Sequence, residues 1–240
     1  MAADDLAVAT LLRLRYSKTG RAKYISHLDL METMRRAMLR AGMALKYSEG
    51  FNPHPYMSVA LPLPVGCESL CELLDVRVSG LIPAAGIPQR ITDALPEGLE
   101  VTEAYTADRK FNGITWVAYD YTVYYDSELK PETTEKLKEL FSSECIIVPK
   151  KTKSGVSDID ITPYIKNVRV GGGDNGGGNG GGESGGVRTL TIKAEVSAQN
   201  PSVSPSMLTS AIQQARGATD PDFYMFTRTE IYDINMNMFR

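Results

Sequence analysis

The order β-α-β-β-α-β can be traced twice along this chain, and few folds accommodate such a repeat. In the first half, Leu11-Leu12-Arg13-Leu14-Arg15-Tyr16 alternates apolar with basic residues, the period of a half-buried strand. A turn at 17–20 follows, and Tyr24-Ile25 resumes the strand. Ser26 then offers a helix cap that Asp29 can reciprocate, and Gly42 offers a stop. Between them Leu30, Met34, Ala37, Met38 and Ala41 fall at helical spacing and should face the core, with Glu32, Arg36 and Arg40 on the opposite side. Strands at 44–48, 57–61 and 70–78, a helix at 83–95 and a strand at 99–105 complete the half, with an irregular loop at 49–56. The second half reads as a strand at 116–125, a helix at 131–141, strands at 145–149, 164–170 and 189–196, a helix at 206–216 and a strand at 223–231. The expectation is an α+β chain of two tandem ferredoxin-like (βαββαβ) halves with antiparallel sheets. The halves would be residues 1–108 and 109–240, with the boundary between Ala107 and Thr115. No residue-level repeat links them, so the duplication rests on element order.

Charge narrows the functional classes. The formal net charge is −3, yet Leu11 to Tyr56 holds nine Lys or Arg against three acids, leaving the rest of the chain strongly acidic. Such asymmetry suits an anionic partner on one side, or simply a solvated basic face. There is no apolar run of membrane-spanning length and no signal-peptide pattern at the N-terminus. Three cysteines are too few, and odd in number, for a disulfide framework. A cytoplasmic protein is expected, with no membrane partner and no DNA partner. Gly171 to Gly186 contains eleven Gly in sixteen residues, without Arg, aromatic residues or a phosphate-loop ending, and is expected to be a flexible loop.

Both histidines of the chain, His27 and His54, lie inside the basic stretch. His27 falls in the first turn of the first helix. His54 stands between Pro53 and Pro55 in Tyr47-Ser48-Glu49-Gly50-Phe51-Asn52-Pro53-His54-Pro55, where two prolines stiffen the backbone. A stiff loop carrying Phe51, Asn52 and His54 suits stacking on a base and reading its edge, though it also suits a rigid structural crossover. Candidate nucleic-acid contacts are Arg15, Lys18, Arg21, Lys23, Tyr24, Arg36, Arg40, Phe51, Asn52 and His54. Candidate catalytic groups are His27 and His54. Cys67 and Cys71 are four apart with no third cysteine nearby, so no metal and no cofactor is expected on this chain.

Several runs taken together resemble one family. They are Arg15-Tyr16-Ser17-Lys18-Thr19-Gly20, Tyr24-Ile25-Ser26-His27-Leu28-Asp29-Leu30, Arg35-Arg36-Ala37, the Tyr47 to Pro55 loop, and Leu61-Pro62-Leu63-Pro64-Val65-Gly66. Fainter agreement continues at Asp160 to Ile165, Asn200 to Ser202 and Arg228 to Glu230. The chain is similar to the radical-SAM-linked proteins, a domain of unknown function found beside or fused to radical S-adenosylmethionine proteins. It departs from that pattern at Tyr56, where a basic residue is common, and at Cys67 and Cys71. The resemblance implies a radical SAM enzyme as partner, which would carry the iron–sulfur cluster and S-adenosylmethionine. It also implies a tRNA or rRNA substrate.

Three functions remain open at this stage. One is an RNA-binding accessory protein acting in RNA modification or processing. A second is a metal-independent endoribonuclease using His27 and His54, by fold-level analogy with CRISPR repeat-processing enzymes. The third is a protein–protein adaptor for the radical SAM enzyme.

Overall fold

A computed structural model describes residues 9–80, 86–126, 129, 131–152, 155–172, 189–214 and 221–240. The fold is mixed α+β, dominated by strands with few helices. The chain clusters into two compact units, Met1–Gly113 with Arg240, and Ile114–Phe239.

The first unit contains β1 (Thr10–Lys18), α1 (His27–Arg40), β2 (Met57–Val59), β3 (Glu68–Val78), α2 (Ile87–Thr92) and β4 (Leu99–Thr106). β1 lies between β4 and β3, and β2 pairs with the other edge of β3; all three registers are antiparallel. Leu12, Leu14 and Tyr16 of β1 meet Leu74 and Val76 of β3 in one core with Leu30, Met34, Ala37 and Met38 of α1. α1 starts as its sequence demands. Ser26 caps it, its Oγ accepting from the Asp29 N–H at 3.2 Å and donating to the Asp29 carboxylate at 2.7 Å. Gly42, with φ of 77°, ends it.

Three expectations for this unit change. Tyr24-Ile25 does not resume the strand. Gly20–Tyr24 is a 3₁₀ turn, tied down because the buried Lys18 amine donates to the carbonyls of Ile25 (2.9 Å) and Lys23 (3.3 Å). The strand at 44–48 reduces to single bridges, Leu45 with Val78 and Tyr47 with Pro55, since two prolines in the facing segment withhold ladder donors. The second helix is short; of its expected start, residues 83–85 lie outside the described residues.

The second unit contains β5 (Trp116–Tyr124), α3 (Pro131–Phe141), β6 (Ile147–Thr152), β7 (Gly155–Asp160), β8 (Ile165–Gly172), β9 (Thr189–Ser197), α4 (Pro205–Gln214) and β10 (Phe223–Tyr232). Its main sheet runs β10-β5-β9-β8, antiparallel at each junction. β5 shows the period-2 burial of a one-sided strand, with Val117, Tyr119, Tyr121 and Val123 inside. The segment expected at 145–149 is a correction. β6 pairs only with β7, as a separate two-stranded sheet. Purely antiparallel pairing is likewise corrected for the chain as a whole, where pairing is mixed. Most of the Gly-rich segment, from Gly173 onward, lies outside the described residues, as do residues 215 and 216 of the last expected helix.

Among the described residues no helix is long and apolar enough to cross a membrane.

Candidate functional site

α1 has a flank that its division into a core face and a wet face leaves out. His27, Leu28, Met31, Glu32 and Arg35 stand at i, i+1, i+4, i+5 and i+8, one continuous stripe at helical period. Opposite this stripe lies the loop that follows Leu45. Together they line a groove of about 520 Å³, with Tyr47, Pro53, His54, Pro55 and Met57 on the loop side. Both histidines of the chain therefore line the same groove, though they stand 27 positions apart in sequence.

The loop is held by its own backbone. The Tyr56 N–H donates to the Lys46 carbonyl at 3.0 Å and the Ser48 N–H to the His54 carbonyl at 2.8 Å. The His54 N–H returns to the Ser48 Oγ at 3.0 Å. Both arms are anchored to the end of β3, since Lys46 N–H donates to the Arg77 carbonyl and Arg77 N–H to the Tyr56 carbonyl, each at 2.9 Å. Gly50, with φ of 115°, makes the turn at the tip. The tip presents Phe51 and Asn52, with His54 beside it, all exposed; Phe51 has a relative exposure of 112%, so its ring packs on nothing in the fold.

The electrostatics of the groove turn on Glu32. Its carboxylate accepts two bonds from Arg35 and one from Arg36, each at 2.7 Å. Hydrogen bonds from Arg35 and then Arg36 hold the carboxyl down to about 2, so it is an anion throughout the physiological range. The Arg35 guanidinium is pushed above the ordinary value, chiefly by its hydrogen bonds to Glu32. Two guanidiniums share one carboxylate, which leaves the groove edge with a net positive charge while fixing the wall.

The remaining candidates separate. Arg15 and Lys18 are corrections: they are only 8% and 2% exposed and turn into the fold. Arg15 stands across from Glu103 of β4 and 3.9 Å from its carboxylate. Burial lowers the Lys18 amine below the usual lysine value, with Glu72 and Cys67 pulling the other way. Neither can meet a phosphate without leaving its partners. Tyr16, between them on the same strand, is fully buried. Arg21, Tyr24, Arg36 and Arg40 are exposed. Lys23 is half-buried, pairing with Glu68 at 3.3 Å and lying over the Tyr24 ring. Arg40 bonds the Ala94 carbonyl at the far end of α1; thirteen residues from His27, it is about 20 Å along the helix. Of these only Arg36 touches the groove wall, through Glu32.

Met31 and Met57 line the groove without being singled out by the sequence, beside Arg35 and Tyr47 of the family runs. Arg77, which lies over the Tyr56 ring at 4.9 Å, is a further cation beside the loop. Cys67 and Cys71 are buried and Cys145 is exposed, none of them in a disulfide among the described residues. Among the described residues no three His, Cys, Asp or Glu side chains gather closely enough to hold a metal ion.

Residues 11–205 match a family described as an uncharacterized protein conserved in bacteria (DUF2344), a span of most of the chain. No curated protein matches it.

Proposed function

We propose, for a chain that belongs to this uncharacterized family conserved in bacteria, a role as an RNA-binding accessory protein. One observation carries the reading. The two histidines, a guanidinium pair and a proline-braced loop with a fully solvated Phe51 stand together around one groove. Single-stranded RNA offers what such a surface can take: splayed bases to stack on Phe51, edges to bond with Asn52 and His54, and phosphates for Arg36. Arg21, Lys23, Tyr24 and Arg40 extend the reading to a strand running beyond the groove. The motif resemblance supports a radical SAM enzyme as partner, bringing the iron–sulfur cluster and S-adenosylmethionine, with tRNA or rRNA as the shared substrate in the cytoplasm. The element order and the strand orders of the two units support tandem ferredoxin-like folds, with the β6–β7 hairpin inserted in the second.

Binding should be salt-sensitive. Four phosphate contacts from Arg21, Lys23, Arg36 and Arg40 at about −0.7 per contact predict roughly a fiftyfold loss of affinity between about 50 and 200 mM salt. Filter binding or fluorescence anisotropy with single-stranded RNA measures this. No binding at the lower salt, or binding indifferent to Arg36→Ala with Arg40→Ala, would refute the RNA reading.

The shared groove also favours a second reading, a metal-independent endoribonuclease. One imidazole would take the ribose 2′-hydroxyl proton and the other would protonate the leaving 5′-oxygen. Pure protein should then cut RNA to 2′,3′-cyclic phosphate ends, seen on a gel. Cleavage that survives in a His27→Ala, His54→Ala double variant removes these residues from the chemistry.

A further inference from the structure

We infer that the groove between the α1 flank and the braced loop is a single-nucleotide pocket, which takes one unstacked nucleotide of an RNA strand. The inference rests on the RNA reading and narrows it to a ligand unit and a place. The volume, about 520 Å³, lies in the range of small-molecule sites. The walls are of two kinds. Met31 and Met57 supply polarisable thioethers, and Leu28, Pro53 and Pro55 supply apolar surface, all well matched to the face of a planar heteroaromatic ring. His27 and His54 supply ring nitrogens that can donate to or accept from the edge of such a ring.

The charge pattern distinguishes a nucleotide from an uncharged aromatic ligand. Glu32 is fully engaged by Arg35 and Arg36, so it does not repel an anion at the groove edge. Arg35 is committed to Glu32 through two hydrogen bonds and keeps that carboxylate in place. Arg36 holds Glu32 through Nε, and its terminal nitrogens stand in an exposed side chain where they can meet a phosphate. The base would enter the groove and the phosphate would stay at its rim. Phe51, outside the lining, is left to stack on the neighbouring base of the strand.

The test uses the fact that the chain has only two histidines and both line the groove. Their Cε1–H proton NMR signals therefore report on this site alone. At constant pH, the full chain is titrated with adenosine, guanosine, cytidine and uridine 5′-monophosphates, and separately with inorganic phosphate. At least one nucleotide is expected to move both signals saturably, and inorganic phosphate to move neither. The dissociation constant should rise about tenfold in Met31→Ala, which loses a stacking wall, and about tenfold in Arg36→Ala, which loses the phosphate contact. The amide spectrum of each variant shows whether it is folded. If no nucleotide moves both signals, the pocket is wrong, even where single-stranded RNA binds; the broader RNA reading then stands without it. If inorganic phosphate reproduces the shifts, the pocket is equally wrong. If mononucleotides bind and RNA does not, the pocket holds and the RNA reading falls.

Discussion

Asp75→Ala is expected to destabilise the first unit by about 3–5 kcal/mol, because it strands a buried guanidinium. Arg13 has no exposed surface and lies directly across the ladder from Asp75. Its Nε and Nη2 donate to the two carboxylate oxygens at 2.7 and 2.8 Å, a two-pronged pair of the strongest kind. Nη2 also reaches the Arg109 carbonyl at 2.6 Å, and the guanidinium lies 4.5 Å from the centre of the Phe111 ring. Removing the carboxylate takes both prongs of this pair from a guanidinium that has no exposed surface. Removing both members is a different experiment. Arg13→Met with Asp75→Leu fills similar volume without charge, and the double variant should regain most of the loss. Denaturant unfolding, with hydrogen exchange of the β1 and β3 amides to assign the effect to this unit, measures both. A single variant within 1 kcal/mol of the parent (about one fivefold change in the equilibrium) would mean that the pair is solvated and not structural.

The same pair shows where sequence reading stops. The alternation from Leu11 to Tyr16 marks β1, and Leu12, Leu14 and Tyr16 face the core, while Leu11 is exposed. A charge on the second face of a strand is ordinarily wet, which is why Arg15 and Lys18 stand among the candidate nucleic-acid contacts. Arg15 instead stands beside Glu103, 88 residues away, and Lys18 folds back onto the carbonyls of Lys23 and Ile25 at the following 3₁₀ turn. Periodicity carries the local face and says nothing about which distant residue covers it. The groove divides in the same manner. His27 and His54 stood out by composition, and the bracketing prolines marked the loop as rigid. Met31 is not singled out, because a two-way division of α1 into core and solvent has no place for a flank that meets a loop, and Met57 reads only as the start of a short strand. The β6–β7 hairpin was missed for another reason. β7 is largely exposed and carries three polar or acidic residues in six, so neither alternation nor apolar content announces a strand.

Gly98→Ala is expected to be the costliest glycine substitution of the first unit, by about 4 kcal/mol, from backbone strain and overpacking together. Gly98 has φ of +88°, which an L side chain adopts only under strain. A Cβ there would also come within 2.3 Å of the Thr19 carbonyl oxygen and 3.0 Å of the Ala22 Cβ. Neither can yield freely. The Thr19 N–H donates to the Gly98 carbonyl at 2.8 Å, and the Ala22 N–H donates to the Thr19 carbonyl at 3.1 Å, so the clash falls on the contact that joins β4 to the 3₁₀ turn. That turn leads directly into Ser26 and His27, so the damage should reach the groove as well as the fold. Gly66 provides the internal control. It has the same φ of +88°, but a Cβ there meets nothing within 4 Å. Gly66→Ala should therefore lose only the conformational part, roughly 1–2 kcal/mol. Unfolding both variants in denaturant separates the two contributions, since strain is common to them and crowding is not. Equal losses would mean that the close approach of Thr19 to Gly98 is loose enough to open, and that the turn before α1 is not held by it.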